Sequence, residues 1–298
     1  MERAVEILIL SGKGGTGKTT LTASLSKIID NKVIVDADVD AADMHILLSP
    51  ETVKKENFKG SAIAFIDREK CTNCGLCKTS CRFDAIDIVC GKHIINEYKC
   101  EGCTLCKLVC PVSAITMKEQ IVGEWYISNT DYGKMVSARL IPGAENSGNL
   151  VTMVKHQAQL VARENKDRKI IIDGPPGVGC PVISSLSGID YVIMVTEPTI
   201  SGVHDLKRVI EVAMHFKPKI GIVINKFDLN REHTEEIKKF ASEKNIDILG
   251  LIPFDKCIVD ALMEKKTPVD IEDCKYISDI IYTIKDKLLK EVEYEPEK

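Results

Sequence analysis

The residues whose types and spacing most plainly carry chemistry are cysteines. Cys71, Cys74, Cys77 and Cys81 stand as C-x2-C-x2-C-x3-C in "KCTNCGLCKTSC". Cys100, Cys103, Cys106 and Cys110 repeat that spacing in "KCEGCTLCKLVCP". Such a run ligates iron–sulfur clusters, the fourth cysteine of each copy serving the other copy's cluster. Two [4Fe–4S] clusters are expected, one on Cys71, Cys74, Cys77 and Cys110, the second on Cys100, Cys103, Cys106 and Cys81. Zinc is the competing reading, but its sites use separated C-x-x-C pairs rather than fourfold runs. Arg82 stands where Pro111 follows the other copy. Its cation lies near the second cluster and favours the reduced state there.

A second kind of chemistry precedes the cysteines. Gly12 to Thr19, "GKGGTGKT", fits G-x-x-x-x-G-K-[ST] between an apolar strand and a helical pattern, the context a phosphate-binding loop needs. Gly12, Gly14, Gly15, Thr16, Gly17 and Thr20 shape a loop whose backbone N–H groups converge on phosphate oxygens. Lys18 is expected on the β- and γ-phosphates, and Thr19 on Mg²⁺. "KVIVDADVD" ends a strand in Asp36, Asp38 and Asp40, and "KIIIDGPPG" ends another in Asp173. Asp173 is expected to hold Mg²⁺ with Thr19, and Gly174 to let the following loop move.

With Lys13 included, the loop reads K-G-G-x-G-K-[ST]. In this the chain resembles the MinD/Mrp/ParA and nitrogenase-iron-protein superfamily of P-loop proteins, which carry the deviant Walker A motif. The resemblance implies an ATPase that forms a homodimer with ATP sandwiched between subunits, Lys13 reaching the partner's nucleotide. It implies that Asp36 and Asp38 are switch I carboxylates that orient the attacking water. Asn225 and Lys226 follow the strand "GIVIN", and Pro253 lies in "GLIPFD"; both segments match the family's base-binding region. Asn225-Lys226-Phe227-Asp228 also spells a guanine motif, but the deviant Walker A motif favours ATP over GTP. Cys180 lies seven residues after Asp173, the offset of a cluster ligand in the nitrogenase iron protein. That cluster's second ligand has no counterpart here, so packing is the expected role of Cys180, as it is for Cys90, Cys257 and Cys274.

The elements that must position these groups follow from pattern. Short apolar strands centre near Ile9, Ile34, Leu140, Ile171, Ile193, Val223 and Leu251, alternating with helical stretches such as Ser147 to Asn165. Strands apolar on both faces predict a parallel sheet with helices on both sides. Residues 61–119 break the rhythm. The expected organisation is a discontinuous α/β P-loop domain, 1–60 and 120–298, with a small α+β bacterial-ferredoxin-like insert at 61–119. "GAENSGNLV", Gly143 to Val151, starts a helix and is a candidate dimer face. The last helix, about Tyr276 to Val292, is expected in the core, because the acidic tail after it would be repelled by anionic lipid.

Bulk properties narrow the classes. The chain of 298 residues carries a net charge of −4 and no basic run, so no nucleic-acid partner is expected. The insert has 8 basic and 7 acidic residues, so it lacks a strongly acidic docking face. No apolar stretch is long enough to span a bilayer. With eight of 12 cysteines in ligand spacing and no export signal, a cytoplasmic location and no membrane partner are expected.

The whole chain thus resembles MinD-superfamily ATPases with an inserted two-cluster ferredoxin domain. The first expectation is ATP-dependent assembly or delivery of iron–sulfur or related metal cofactors to an apo-metalloprotein client. The alternative is ATP-gated electron donation to a protein redox partner. A MinD/ParA-like positioning ATPase with structural clusters ranks last.

Overall fold

The computed structural model describes residues 3–60, 62–143 and 147–293. The first positions of the candidate dimer face, Ala144 to Asn146, and most of the acidic tail lie outside these. The chain divides into two compact units, one running to Glu56, through Glu124–Pro142 and onward from Ser147, the other centred on Asn57–Gly123.

The larger unit begins with β1 (Val5–Ser11), α1 (Lys18–Ile28), β2 (Lys32–Asp36), α2 (Met44–Leu48) and β3 (Glu51–Lys59). The smaller unit holds β4 (Ile63–Ile66), α3 (Leu76–Ser80), β5 (Ile86–Val89), β6 (Lys92–Ile95), α4 (Leu105–Leu108) and β7 (Ile115–Lys118). The chain returns through β8 (Ile121–Thr130), β9 (Gly133–Leu140), α5 (Ser147–Asn165), β10 (Lys169–Pro176), α6 (Cys180–Leu186) and β11 (Tyr191–Thr196). It closes with α7 (Ile200–Met214), β12 (Lys219–Asn225), α8 (Arg231–Glu243), β13 (Asp247–Ile252), α9 (Lys256–Met263) and α10 (Lys275–Glu293).

One nine-stranded sheet runs in the order β13-β12-β11-β1-β10-β2-β9-β8-β3. From β13 to β9 every neighbouring pair is parallel. The sheet is not parallel throughout, however. Only Asp131 and Tyr132 separate β8 from its neighbour β9, and two residues can join only an antiparallel pair.

Side-chain alternation assigns the layers. Ile7 and Ile9 of β1 share a core with Leu21 and Leu25 of α1 and with Ile277, Ile281, Ile284 and Leu288 of α10. Leu8 and Leu10 point the other way and are equally buried. The last helix therefore spends its apolar face on the core. On α5, Leu150, Val154, Ala158 and Val161 are buried along one stripe, as the helical spacing predicts. No helix among the described residues is long and apolar enough to cross a membrane.

The smaller unit is two β–α–β repeats, with β4 antiparallel to β7 and β5 antiparallel to β6. Its core is small: Ala64, Ile66, Ile86 and Ile115 with Cys77, and further cysteines packed against them.

Candidate functional site

The phosphate-binding loop joins β1 to α1 at the carboxyl edge of the parallel strands, where open α/β sheets bind ligands. Gly15 and Gly17 have φ of +78° and +90°, which side-chain-bearing residues rarely adopt. A Cβ on Gly12 would stand 2.6 Å from the backbone of Asp205. Gly14 is exposed, Thr20 is half-buried, and Thr16 is buried with its hydroxyl oxygen unpartnered among the described residues. A buried hydroxyl without a partner in a glycine loop fits an oxyanion ligand.

Lys18, the first residue of α1, carries its ammonium to the ends of β2 and β10. Its Nζ lies 2.9 Å from Asp173 and 3.7 Å from Asp38. Thr19 Oγ1 donates to Asp173 Oδ2 at 2.8 Å, and Thr22 Oγ1 donates to Oδ1 at 2.8 Å. Asp36, fully buried, accepts from the backbone amides of Asp38 and Met44. Three carboxylates thus share one ammonium. Burial first, and the charge of Asp173 next, push the Asp36 carboxyl well above the usual range. Burial likewise raises Asp38 to about 6 against the pull of Lys18. For Lys18 burial opposes the charge, but Asp173 and Asp38 hold its pKa above the ordinary value.

That surplus of negative charge asks for a further cation. The donors are hard oxygens, a hydroxyl and carboxylates, which suits Mg²⁺. Thr19 and Asp173 would hold the ion, leaving the nucleotide phosphates and water to complete its shell. Asp40 is exposed, and its charge adds to the rise of Asp38. Gly174 lies inside β10, where a Cβ would come 2.5 Å from Leu10 and 3.0 Å from the Ile9 carbonyl oxygen. Its service is therefore close strand packing rather than the loop freedom expected of it.

Lys13 is engaged within its own chain. Its Nζ lies 2.7 Å from Glu197 and donates to the Thr199 and Ser201 hydroxyls at 3.1 and 3.0 Å. Glu197, at the end of β11, also pairs with Lys226 at 2.9 Å. Burial opposes its charge, and the hydrogen bonds from the two lysines more than offset this, holding its pKa below the usual value. The sequence reading missed Glu197. The available signal was a carboxylate at the end of an apolar strand, "YVIMVTE", on the same sheet edge as the loop.

The base-region residues are also engaged internally. Asn225 Nδ2 donates to the Thr16 carbonyl at 2.8 Å, and Lys226 Nζ approaches the Gly15 carbonyl at 3.4 Å. Asp228 accepts from the Phe254 amide at 2.7 Å, closing the segment that contains half-buried Pro253.

In the smaller unit, Cys71, Cys74, Cys77 and Cys110 line one small cavity. Cys81, Cys100, Cys103 and Cys106 line another. Each group draws three thiols from one run and one from the other. Among the described residues no three His, Cys, Asp or Glu side chains converge tightly enough for a single metal ion. A cubane asks for something else: four thiolates spread round a cage wider than one ion. The donor chemistry fits iron–sulfur ligation. Burial raises the Cys77 thiol, and burial together with Cys100 raises Cys106, so neither thiolate forms readily without a cation beside it. The Ala114 amide already donates to Cys110 Sγ at 3.3 Å.

The four remaining cysteines depart from the expected packing role. Cys257 and Cys274 are joined as a disulfide beside α9 and α10, because the turn between these helices brings their Cα atoms to 5.6 Å. Cys90 is exposed in the β5–β6 turn, and Cys180 is exposed at the first turn of α6.

A family model described as the CobQ/CobB/MinD/ParA nucleotide binding domain matches residues 7–269. An uncharacterized protein of Methanocaldococcus jannaschii is 35% identical over 229 residues, 76% of this chain and 79% of its own. The septum site-determining protein MinD of Bacillus subtilis is 24% identical, over 86% of this chain and 78% of its own. Among solved structures, MinD of Pyrococcus horikoshii complexed with Mg-ADP superposes with a TM-score of 0.58 at 19% identity, covering 96% of each chain. The cell division ATPase MinD of Pyrococcus furiosus gives 0.57 at 20% identity, covering 96% of this chain and 99% of that one. The chain belongs to the CobQ/CobB/MinD/ParA nucleotide-binding family and is a P-loop ATPase.

Proposed function

We propose that this ATPase is an iron–sulfur protein that couples Mg-ATP hydrolysis, in a nucleotide-sandwiched homodimer, to the handling of electrons or metal cofactors for a protein partner. The observation that carries the reading is the sorting of eight cysteines into two cavities, four to each. When bound, each [4Fe–4S] cluster supplies one-electron redox chemistry. Lys18 and the loop amides bind the nucleotide phosphates; Thr19 and Asp173 hold Mg²⁺; Asp36 and Asp38 orient water at the γ-phosphate. Lys13 leaves Glu197 to reach the partner subunit's nucleotide.

Two uses remain, and observations divide them. Four thiols per cavity saturate the four irons of a cubane and leave none open for hand-over, which favours ATP-gated electron donation. The exposed thiol of Cys180 lies outside both sets and favours assembly or delivery of cofactors. The relatives named as septum-site proteins argue for a positioning ATPase, a role that needs no cluster. Geometry favours donation.

The test begins with anaerobic protein, expected to hold about eight iron and eight acid-labile sulfide per chain. Stoichiometric zinc without sulfide would end the iron–sulfur reading. Loaded protein is then mixed with apo- and oxidised acceptors, with and without ATP. Donation reduces an acceptor while the iron stays in place; loss of iron and sulfide to an apo-acceptor would instead establish delivery.

A further inference from the structure

The two cysteine cavities are built by an internal repeat. Each cysteine of the second run lies 29 positions after its counterpart, Cys71 with Cys100 and Cys81 with Cys110. The same offset pairs other lining positions. Ile66 matches Ile95, and Ile86 matches Ile115, like for like. At four positions the cavities differ in chemistry. The first has Thr72, Asn73, Gly75 and His93 where the second has Glu101, Gly102, Thr104 and Ala64. Glu101 and Thr104 are exposed, so water competes for their side chains, whereas His93 is buried.

His93 is only 7% exposed, and its Nε2 has no hydrogen-bond partner among the described residues. That nitrogen lies 3.8 Å from where a Cβ on Gly75 would stand, facing the Cys74–Cys77 loop. Its other nitrogen, Nδ1, lies 3.4 Å from the Asn73 carboxamide oxygen, which is also 3.7 Å from Cys71 Sγ. A ligating Cys71 is a thiolate and can only accept. The carboxamide must then present its NH₂ to that sulfur, an exchange of two nearly equivalent atoms. The same NH₂ now faces His93 Nδ1, which becomes the acceptor. The imidazole proton is thereby fixed on Nε2, as a donor aimed into the cavity. A buried N–H left unpaired is destabilising, so an acceptor sulfur is what this site lacks.

We propose that His93 donates an Nε2–H hydrogen bond to a sulfur of the cluster held by Cys71, Cys74, Cys77 and Cys110, and so makes that cluster the more easily reduced of the two. The inference rests on the two-cluster reading above. A donor to sulfur stabilises the extra negative charge of the reduced state. The counterpart positions, Gly102 and Ala64, have no side-chain donor. Arg82 works in the opposite sense, as a cation adjacent to Cys81. Its side chain is exposed, however, so water and salt screen it, whereas the imidazole is buried. One electron supplied by an external reductant such as dithionite therefore rests on the first cluster, with no proton taken up.

His93 is the one histidine between Asn57 and Gly123, which makes it separately visible. Protein grown with ¹⁵N-imidazole histidine is reduced by one electron per chain and examined by pulsed electron paramagnetic resonance. Nitrogen coupling to the first spin that appears is the expected result; a first spin without it overturns the proposal. A mediated titration of the whole chain should show two separated one-electron steps. His93→Leu should lower the upper step, with at least a tenfold loss of preference between the clusters, about 59 mV. His93→Gln, which restores an N–H, should recover much of the separation. Unchanged potentials in His93→Leu overturn the proposal. Should that variant fail to hold clusters, the labelled parent protein still decides. Protein without iron and sulfide would defeat the two-cluster reading itself, a result distinct from loaded clusters that ignore His93.

Discussion

At the scale of single residues, the ATPase site is an electrostatic conflict held in place by the fold. Asp36, Asp38 and Asp173 face one ammonium, and without nucleotide the surplus charge works against folding. Asp38 has a native pKa of about 6, above the unfolded carboxylate value of about 4. The folded chain therefore holds the extra proton between those values, and stability falls as pH rises through that window. Above pH 6 the whole penalty, about 1–3 kcal/mol, is in place. Nucleotide-free Asp38→Asn should melt at a higher temperature than the parent at pH 7.5, and the advantage should vanish near pH 4. A difference that does not vary with pH would assign the effect to packing instead. In Mg-ATP the same variant should hydrolyse far more slowly, since the amide cannot orient water as the carboxylate does. Lys18, Thr19 and Asp173 were legible because a strand, a glycine loop and a helix in that spacing leave few alternatives. Glu197 was not, because one glutamate after an apolar strand has no spacing partner. His93 becomes visible only when the two runs are aligned position by position.

At the scale of elements, apolar strands and amphipathic helices announced themselves, and polar ones did not. β1, β2, β10, β11 and β12 are buried on both faces and read as apolar runs. β13, at the sheet edge, is only half-buried on one face but reads as apolar too. β3, "ETVKKENFK", is exposed at nearly every position, so no hydrophobic period marks it. The two residues between β8 and β9, Asp131 and Tyr132, include no Gly or Asn, the first Gly being Gly133 at the start of β9. The end of β11 and the start of α7 carry the cis hold on Lys13. Glu197→Gln keeps the shape of that hold and removes its charge. A partly exposed ion pair is worth about 1 kcal/mol or less, so the variant should dimerise at up to about fivefold lower ATP concentration, as read by light scattering. No change would show that releasing Lys13 does not limit dimerisation. The small helices α3 and α4 test the swapped cysteines. Cys110→Ser should perturb the cluster held by Cys71, Cys74 and Cys77 while leaving the other spectrum intact, although Cys110 belongs to the second run. Loss confined to the cluster of its own run would mean that the runs do not exchange ligands.

At the scale of the whole molecule, the question is why one chain carries both units. The path between them is continuous in the sheet. Asp36 pairs with Ser137 across β2 and β9, β9 turns directly into β8, and β8 lies beside β3. The boundaries of the cysteine-bearing unit fall inside these last two strands, at Glu56 and Gly123. If Asp36 senses nucleotide as proposed, the ladder of strands that runs from it to the chain segments entering the cysteine unit offers a route for coupling. If nucleotide shifts a cluster's potential, reduction must shift nucleotide affinity by the same free energy, because linkage between binding equilibria is reciprocal. A coupling of about 1.4 kcal/mol is a tenfold change in affinity, or ~60 mV for one electron. Potentials measured without nucleotide, with ADP and with a non-hydrolysable ATP analogue should therefore differ. ATP affinity measured on oxidised and on dithionite-reduced protein should differ by the matching factor. Agreement between the two would establish thermodynamic gating, and a shift in one without the other would point to an error in either measurement. Constant potentials together with redox-independent affinity would leave ATP to govern only when the clusters meet their partner, and the ladder would then be a tether rather than a transmission.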